Sequence, residues 1–159
     1  MAIHSEGAPT LSAFVLRELQ DSIGMAASAL ARRLGMSSTD ALAIEYISLS
    51  TTPLSPGELG QRLAITRSSA TEVVDRLVAA GHIERVRDDI DRRRYRLLPT
   101  SQARNRVRNE LQPLVRALDG AAHEFSPQDQ AVISTYLRSV IDAYRGFASD
   151  PQDPGAAAD

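Results

Sequence analysis

Apolar residues recur at helical spacing through most of the chain. Leu11, Phe14, Val15, Leu19, Ile23, Ala26, Ala27, Leu30 and Leu34 step along one face, which predicts a first helix that Gly35 stops. "SSTD" opens a second helix reaching about Leu49, with Ser37 as N-cap and Asp40 where a capping box carries Glu or Gln. "SPGE" is the sharpest boundary: Ser55 caps, Pro56 takes the first helical position and Glu58 completes the box. That short helix runs to about Leu63. "AIT" turns the chain, and Thr66 or Ser68 caps a fourth helix whose buried stripe is Ala70, Val73, Val74 and Leu77 and whose stop is Gly81.

The pattern then changes. "HIERVR" and "RRYRLL" read as two short strands joined by the Asp-rich "DDID", a β-hairpin. Thr100 or Ser101 begins a long helix with Val107, Leu111, Leu114, Val115, Leu118 and Phe125 on one face. Pro113 falls inside it and is expected to kink or break it near residue 112. "SPQD" caps a last helix with the stripe Val132, Ile133, Tyr136, Leu137, Val140, Ile141 and Tyr144. The order α-α-α-α-β-β-α-α gives a mainly α (α+β) fold: a winged helix-turn-helix with a two-stranded hairpin wing, flanked by N- and C-terminal helices. The expected organisation is a disordered N-terminus over 1–8, a helical dimerisation region over 9–50 and 100–148, the winged region over 51–99, and a disordered tail over 149–159.

Composition narrows the chemistry. The chain has 159 residues and no Cys, so disulfides, thiol switches and Cys-based zinc sites are excluded. His4, His82 and His123 are scattered without ligand spacing, and no metal or other cofactor is expected. No nucleophile or phosphate-loop motif is present, which argues against an enzyme. No apolar run approaches the roughly 18–20 residues of a membrane span. The first ten residues lack the basic and apolar regions of a signal peptide. The expectation is a soluble, cytoplasmic protein.

The net charge of −2 conceals an uneven layout. Residues 62–108 hold 12 Arg against six acids, while the remainder holds six Arg against 14 acids, and Lys is absent. Such a layout fits a polyanion-binding segment on a solubilising body. The charge peaks in "RVRDDIDRRRYRL", residues 85–97, with six Arg and three Asp.

The segment "LSPGELGQRLAITRSSATEVVDRLVAAGHIERVRDDIDRRRYRLLPTSQAR" resembles the core of the MarR family of bacterial transcriptional regulators. The marks are "DRL", "AAGHIER", "DIDRR" and Thr100, seven residues beyond Arg93; the flanking helices extend the likeness over about residues 9–148. Pro99, Ala103 and Glu72 depart from the usual pattern, and Glu72 bears on which DNA sequence is read. The resemblance implies a repressor that binds a palindromic operator in double-stranded DNA as a homodimer and is released by a small, aromatic or anionic effector. Tyr46 and an Arg are candidate pocket residues, each otherwise ordinary core or surface. A winged-helix protein-interaction module, or a nonspecific architectural DNA binder, is the alternative.

The candidate DNA contacts follow from chemistry as well. Ser68, Ser69 and Thr71 lie in the first turn of the fourth helix, where free N–H groups and the positive end of the helix dipole face a phosphate or base edge. Arg67 and Arg76 join them. Glu72 either accepts from a cytosine or pairs with Arg76 four residues on. In the wing, the resemblance assigns Asp91 to orient Arg93 for the minor groove, a role that paired carboxylate–guanidinium hydrogen bonds suit. Arg92 and Arg94 are expected on phosphate, with Arg85, Arg87 and Arg96 as flanking contacts on the two arms.

Overall fold

The computed structural model describes residues 13–88, 91 and 94–148. The expected disorder at 1–8 and 149–159 therefore lies outside the described residues. The elements are α1 (Ala13–Leu34), α2 (Ser38–Leu49), α3 (Pro56–Leu63), α4 (Arg67–Ala79), β1 (Ile83–Arg87), β2 (Tyr95–Pro99), α5 (Ser101–His123) and α6 (Pro127–Ala148). The order is the one that the polar–apolar pattern predicts, with both strands displaced by a residue or two.

Each boundary has a local cause. Gly35 adopts φ +68 and Gly81 φ +71, left-handed conformations that end α1 and α4 at low steric cost. After each, the next N–H reaches back five residues: Met36 to the Ala31 carbonyl (3.0 Å) and His82 to the Leu77 carbonyl (2.9 Å). Ser55 and Glu58 form a full capping box, with Ser55 N–H donating to Glu58 Oε2 at 2.6 Å and Glu58 N–H donating to Ser55 Oγ at 3.2 Å. The corresponding box at α2 is only half made. Ser37 Oγ accepts from Asp40 N–H at 3.1 Å, but the Asp40 carboxylate turns outward to Arg76 instead of back to the cap. Thr66, not Ser68, caps α4, its Oγ1 accepting from Ser69 N–H at 3.2 Å. Thr100 caps α5 through its hydroxyl oxygen, which accepts from Ala103 N–H at 3.3 Å.

Pro113 does not break α5, which is helical from Ser101 to His123. The chain nevertheless divides into two compact units between Gln112 and Pro113.

The first unit contains the core. Leu30, Ala31 and Leu34 of α1, Ala41, Ala43, Ile44 and Ile47 of α2, Leu59, Val73, Val74, Leu77, Ile83, Leu97, Ala103 and Val107 pack as one cluster. All four predicted stripe residues of α4 are buried. The end of α1, all of α2 and the start of α5 thus share one core with the winged segment. β1 and β2 pair antiparallel, with Ile83 opposite Pro99, Arg85 opposite Leu97 and Arg87 opposite Tyr95. A third strand position, unforeseen in the sequence, is a single bridge: Leu97 N–H donates to the Leu54 carbonyl at 2.8 Å.

The second unit has no comparable core. No residue of α6 is buried, and Leu114, Val115, Leu118, Val132, Ile133, Leu137, Ile141, Tyr144 and Phe147 are all exposed. In the first unit, Phe14, Val15, Leu19 and Ile23 of α1 are exposed as well. Among the described residues no helix is long and apolar enough to cross a membrane.

Candidate nucleic-acid interface

α3 and α4 are joined by a tight turn. Ala64 closes α3 in the left-handed conformation (φ 52), and Ile65 N–H donates to the Gly60 carbonyl at 3.1 Å. A side chain at Gly60 would bring its Cβ to 3.1 Å from that of Ala70, so glycine there lets α3 approach α4 closely. The crossing presents the N-termini of both helices on one side. Ser55, Pro56 and Gly57 from α3, Arg67 and Thr71 from α4, and Arg94 and Tyr95 from the wing line one groove of about 460 Å³.

The hydroxyls expected to meet DNA are already engaged locally. Thr66 Oγ1 lies 3.0 Å from both Ser68 Oγ and Ser69 Oγ, and Thr71 Oγ1 donates to the Arg67 carbonyl at 3.0 Å. Ser68 and Thr71 remain exposed while Ser69 is half-buried. Arg67, at the first position of α4, is exposed and has no carboxylate partner among the described residues.

Three arginines that sequence assigns to DNA or to its flanks are instead held by acids. Arg76 donates through Nη2 to Asp40 Oδ1 (2.8 Å) and through Nε to Oδ2 (3.3 Å), a bidentate bridge from α4 to α2; this replaces the expected pairing with Glu72. The hydrogen bond to Asp40 holds its pKa above the ordinary arginine value. Arg85 is bound by Asp75 of α4. Arg96 donates through Nε to Asp88 Oδ2 at 2.6 Å and through Nη1 to Glu58 Oε2 at 3.1 Å. These partners lie 36, 10, and 8 and 38 residues away in sequence, beyond any helical or hairpin spacing rule except the Asp88–Arg96 pair across the turn.

The wing turn is internally braced. Asp88 N–H donates to the Arg94 carbonyl (3.0 Å), Arg94 N–H to the Asp91 carbonyl (2.8 Å), and Asp91 N–H to Asp88 Oδ1 (3.2 Å). Asp91 Oδ2 also holds Arg94 Nε at 3.2 Å. Arg92 and Arg93 lie outside the described residues, so the expected orienting of Arg93 by Asp91 rests on the sequence alone.

Two carboxyls elsewhere are perturbed in opposite directions. Hydrogen bonds from the Ser55 backbone and side chain, helped by the charges of Arg96 and Arg62, hold Glu58 below its ordinary pKa against a smaller effect of burial. Burial raises that of Glu45 on α2. Tyr46, the candidate pocket residue, lies beside Arg62, whose guanidinium carbon is 6.0 Å from the ring centroid, the outer limit of a cation–π contact. No cluster of three or more metal-ligating side chains occurs among the described residues.

A capped helix-turn-helix followed by a hairpin, with both helix N-termini and the turn end of the hairpin on one groove, defines a winged helix-turn-helix protein. Residues 34–94 match the model of the MarR family. An HTH-type transcriptional regulator of Bacillus subtilis, YcgE, is 27% identical over 114 residues, 72% of this chain and 73% of its own length. FabT of Streptococcus pneumoniae, solved in complex with DNA, superposes with a TM-score of 0.64 at 20% identity, over 86% of this chain and 99% of that one. PcaV of Streptomyces coelicolor, solved in complex with its natural ligand, superposes with a TM-score of 0.55 at 25% identity, over 91% and 99%. The chain thus shares the fold of these solved regulators, and its residues 34–94 resemble the MarR family.

Proposed function

We propose that the protein is a homodimeric repressor that binds a palindromic operator, places α4 in the major groove and Arg93 in the minor groove, and is released by a small ligand. The observation that carries the DNA-binding part is the shared groove. It gathers the N-terminal ends of α3 and α4, Arg67, Arg94 and Tyr95 on one surface. Helix N-termini and arginines converging on one concave surface suit the phosphates of a duplex. Ser68, Ser69 and Thr71 then sit at the mouth of α4, where capping and phosphate contact are compatible because several N–H groups are available. Asp91 orients Arg93 for the minor groove, and Arg92 and Arg94 meet the flanking phosphates. Arg76, committed to Asp40, serves as a brace between α4 and α2 in place of a direct contact.

Dimerisation is supported by the apolar side chains left exposed on α1, on the second half of α5 and on α6. A two-fold pair sets two recognition helices about one DNA turn apart, roughly 34 Å. Release by an effector is supported by PcaV, which was solved with its natural ligand. An effector works by binding the two states with different affinity.

The decisive experiment is a gel-shift titration against the DNA flanking the protein's own gene. Arg67→Ala is expected to lower the dependence of binding on salt by about 0.9 in the log–log slope, one phosphate contact. Arg93→Ala is expected to weaken specific binding and leave the folded dimer intact. Unchanged affinity in both variants overturns the proposed binding face. Salt-sensitive binding without sequence preference would favour the architectural alternative.

A further inference from the structure

We propose that Arg96 is a positioning residue for DNA binding: it locks the wing to the helix-turn-helix and does not itself grip phosphate. The inference rests on the DNA-binding reading above and concerns a residue outside the proposed contact set.

Arg96 gathers acceptors from three separate parts of the first unit. Nε donates to Asp88 Oδ2 at the wing turn (2.6 Å). Nη1 donates to Glu58 Oε2 in the first turn of α3 (3.1 Å) and to the Pro53 carbonyl ahead of that helix (3.3 Å). The Glu58 oxygen involved is the same Oε2 that accepts from Ser55 N–H, so one atom joins the cap of α3 to the wing. Asp88 ties the other end, since its Oδ1 accepts from Asp91 N–H. The Asp88 side chain is only 10% exposed, so solvent and salt screen the pair weakly.

The hairpin needs such an anchor. A lone two-stranded hairpin is marginally stable in water. The backbone ties β2 to the segment before α3 by the single bridge from Leu97 to Leu54. Arg96, the neighbouring residue, adds a side-chain tie to α3, on the other strand from the Arg85–Asp75 pair that ties β1 to α4. Its planar fork of donors serves three acceptors at once, which the point charge of a lysine does not. Two carboxylates more than neutralise it, which makes it a poor phosphate ligand beside Arg67, which has no carboxylate partner among the described residues.

The test uses the full chain and a duplex of about 30 base pairs, enough for two half-sites, enriched by the wild-type protein from a random pool. Arg96→Met is expected to bind about tenfold more weakly, as when about a tenth of wings remain poised for DNA. The salt slope should stay at the wild-type value, whereas loss of a phosphate contact lowers it by about 0.9. Arg96→Lys should recover little. In the DNA-free protein, amides of residues 84–98 should exchange faster in both variants. Unchanged exchange protection overturns the lock, as does unchanged affinity. A reduced slope that lysine restores assigns Arg96 to phosphate and overturns it too. If the wild type enriches no duplex, the DNA-binding reading fails, and the exchange measurement still decides whether Arg96 holds the wing.

Discussion

Charge in this protein is spent largely on itself. Arg76, Arg85 and Arg96 each face a carboxylate, and the wing's Asp88 accepts both a guanidinium and a backbone N–H. The dense run at 85–97 is therefore a braced structure from which selected cations project, not a uniform basic patch. That division was only partly legible in the sequence. The Arg67 position follows from helix punctuation alone, but Asp40 of α2, which holds Arg76, and Glu58 of α3, which holds Arg96, are connected to them by no spacing rule. Glu45 is the opposite case, a carboxyl with burial and no compensation strong enough to keep its pKa ordinary. Its folded pKa lies above the unfolded value, so the charged form opposes folding at neutral pH. That cost fades as pH falls through the raised value. Glu45→Gln is expected to raise the melting temperature at neutral pH, with the gain vanishing below the ordinary value of 4.5. A gain that persists in acid would assign the effect to something other than the charge.

At the level of elements, turn chemistry was the most readable part. Proline at the start of α3, glycines after α1 and α4, and hydroxyl caps all act where local physics places them. The missed third-strand bridge at Leu54 has no pattern of its own, because one residue shows no alternation. Of the kink or break expected at Pro113, the break does not occur, since α5 runs from Ser101 to His123. Thr66 offers the sharpest test at this scale. It caps α4 and draws Ser68 and Ser69 into one hydroxyl cluster. Thr66→Ala is expected to cost about 1 kcal/mol in denaturant unfolding. Thr66→Ser, which keeps the oxygen, should recover most of it. Equal loss in both would show that the methyl packing of Thr66, not the cap, stabilises the helix.

The whole molecule is unevenly finished. The winged segment buries the stripe of α4, while the first half of α1 leaves its stripe exposed and the second unit leaves Leu118, Val132 and Phe147 at 62, 69 and 86% exposure. A lone chain with that much apolar surface is costly in water. Sedimentation at micromolar concentration is expected to show a dimer, and Ile133→Glu with Leu137→Glu to shift it toward monomer. A stable wild-type monomer would remove the assembly from the proposal. The sequence displayed the stripes but not their fate, since an apolar helical face reads the same whether its own chain or a second one covers it.

Those uncovered stripes also shape inheritance. In the proposed dimer, pairing is carried by α1, α5 and α6, remote in sequence from the wing. A mutant allele that loses Arg67 and Arg93 but keeps the stripes would still enter mixed pairs. With equal amounts of both chains and random assembly, about three-quarters of dimers carry at least one defective subunit. Lesions in the DNA-reading half should therefore behave as dominant, and lesions in the stripes as recessive.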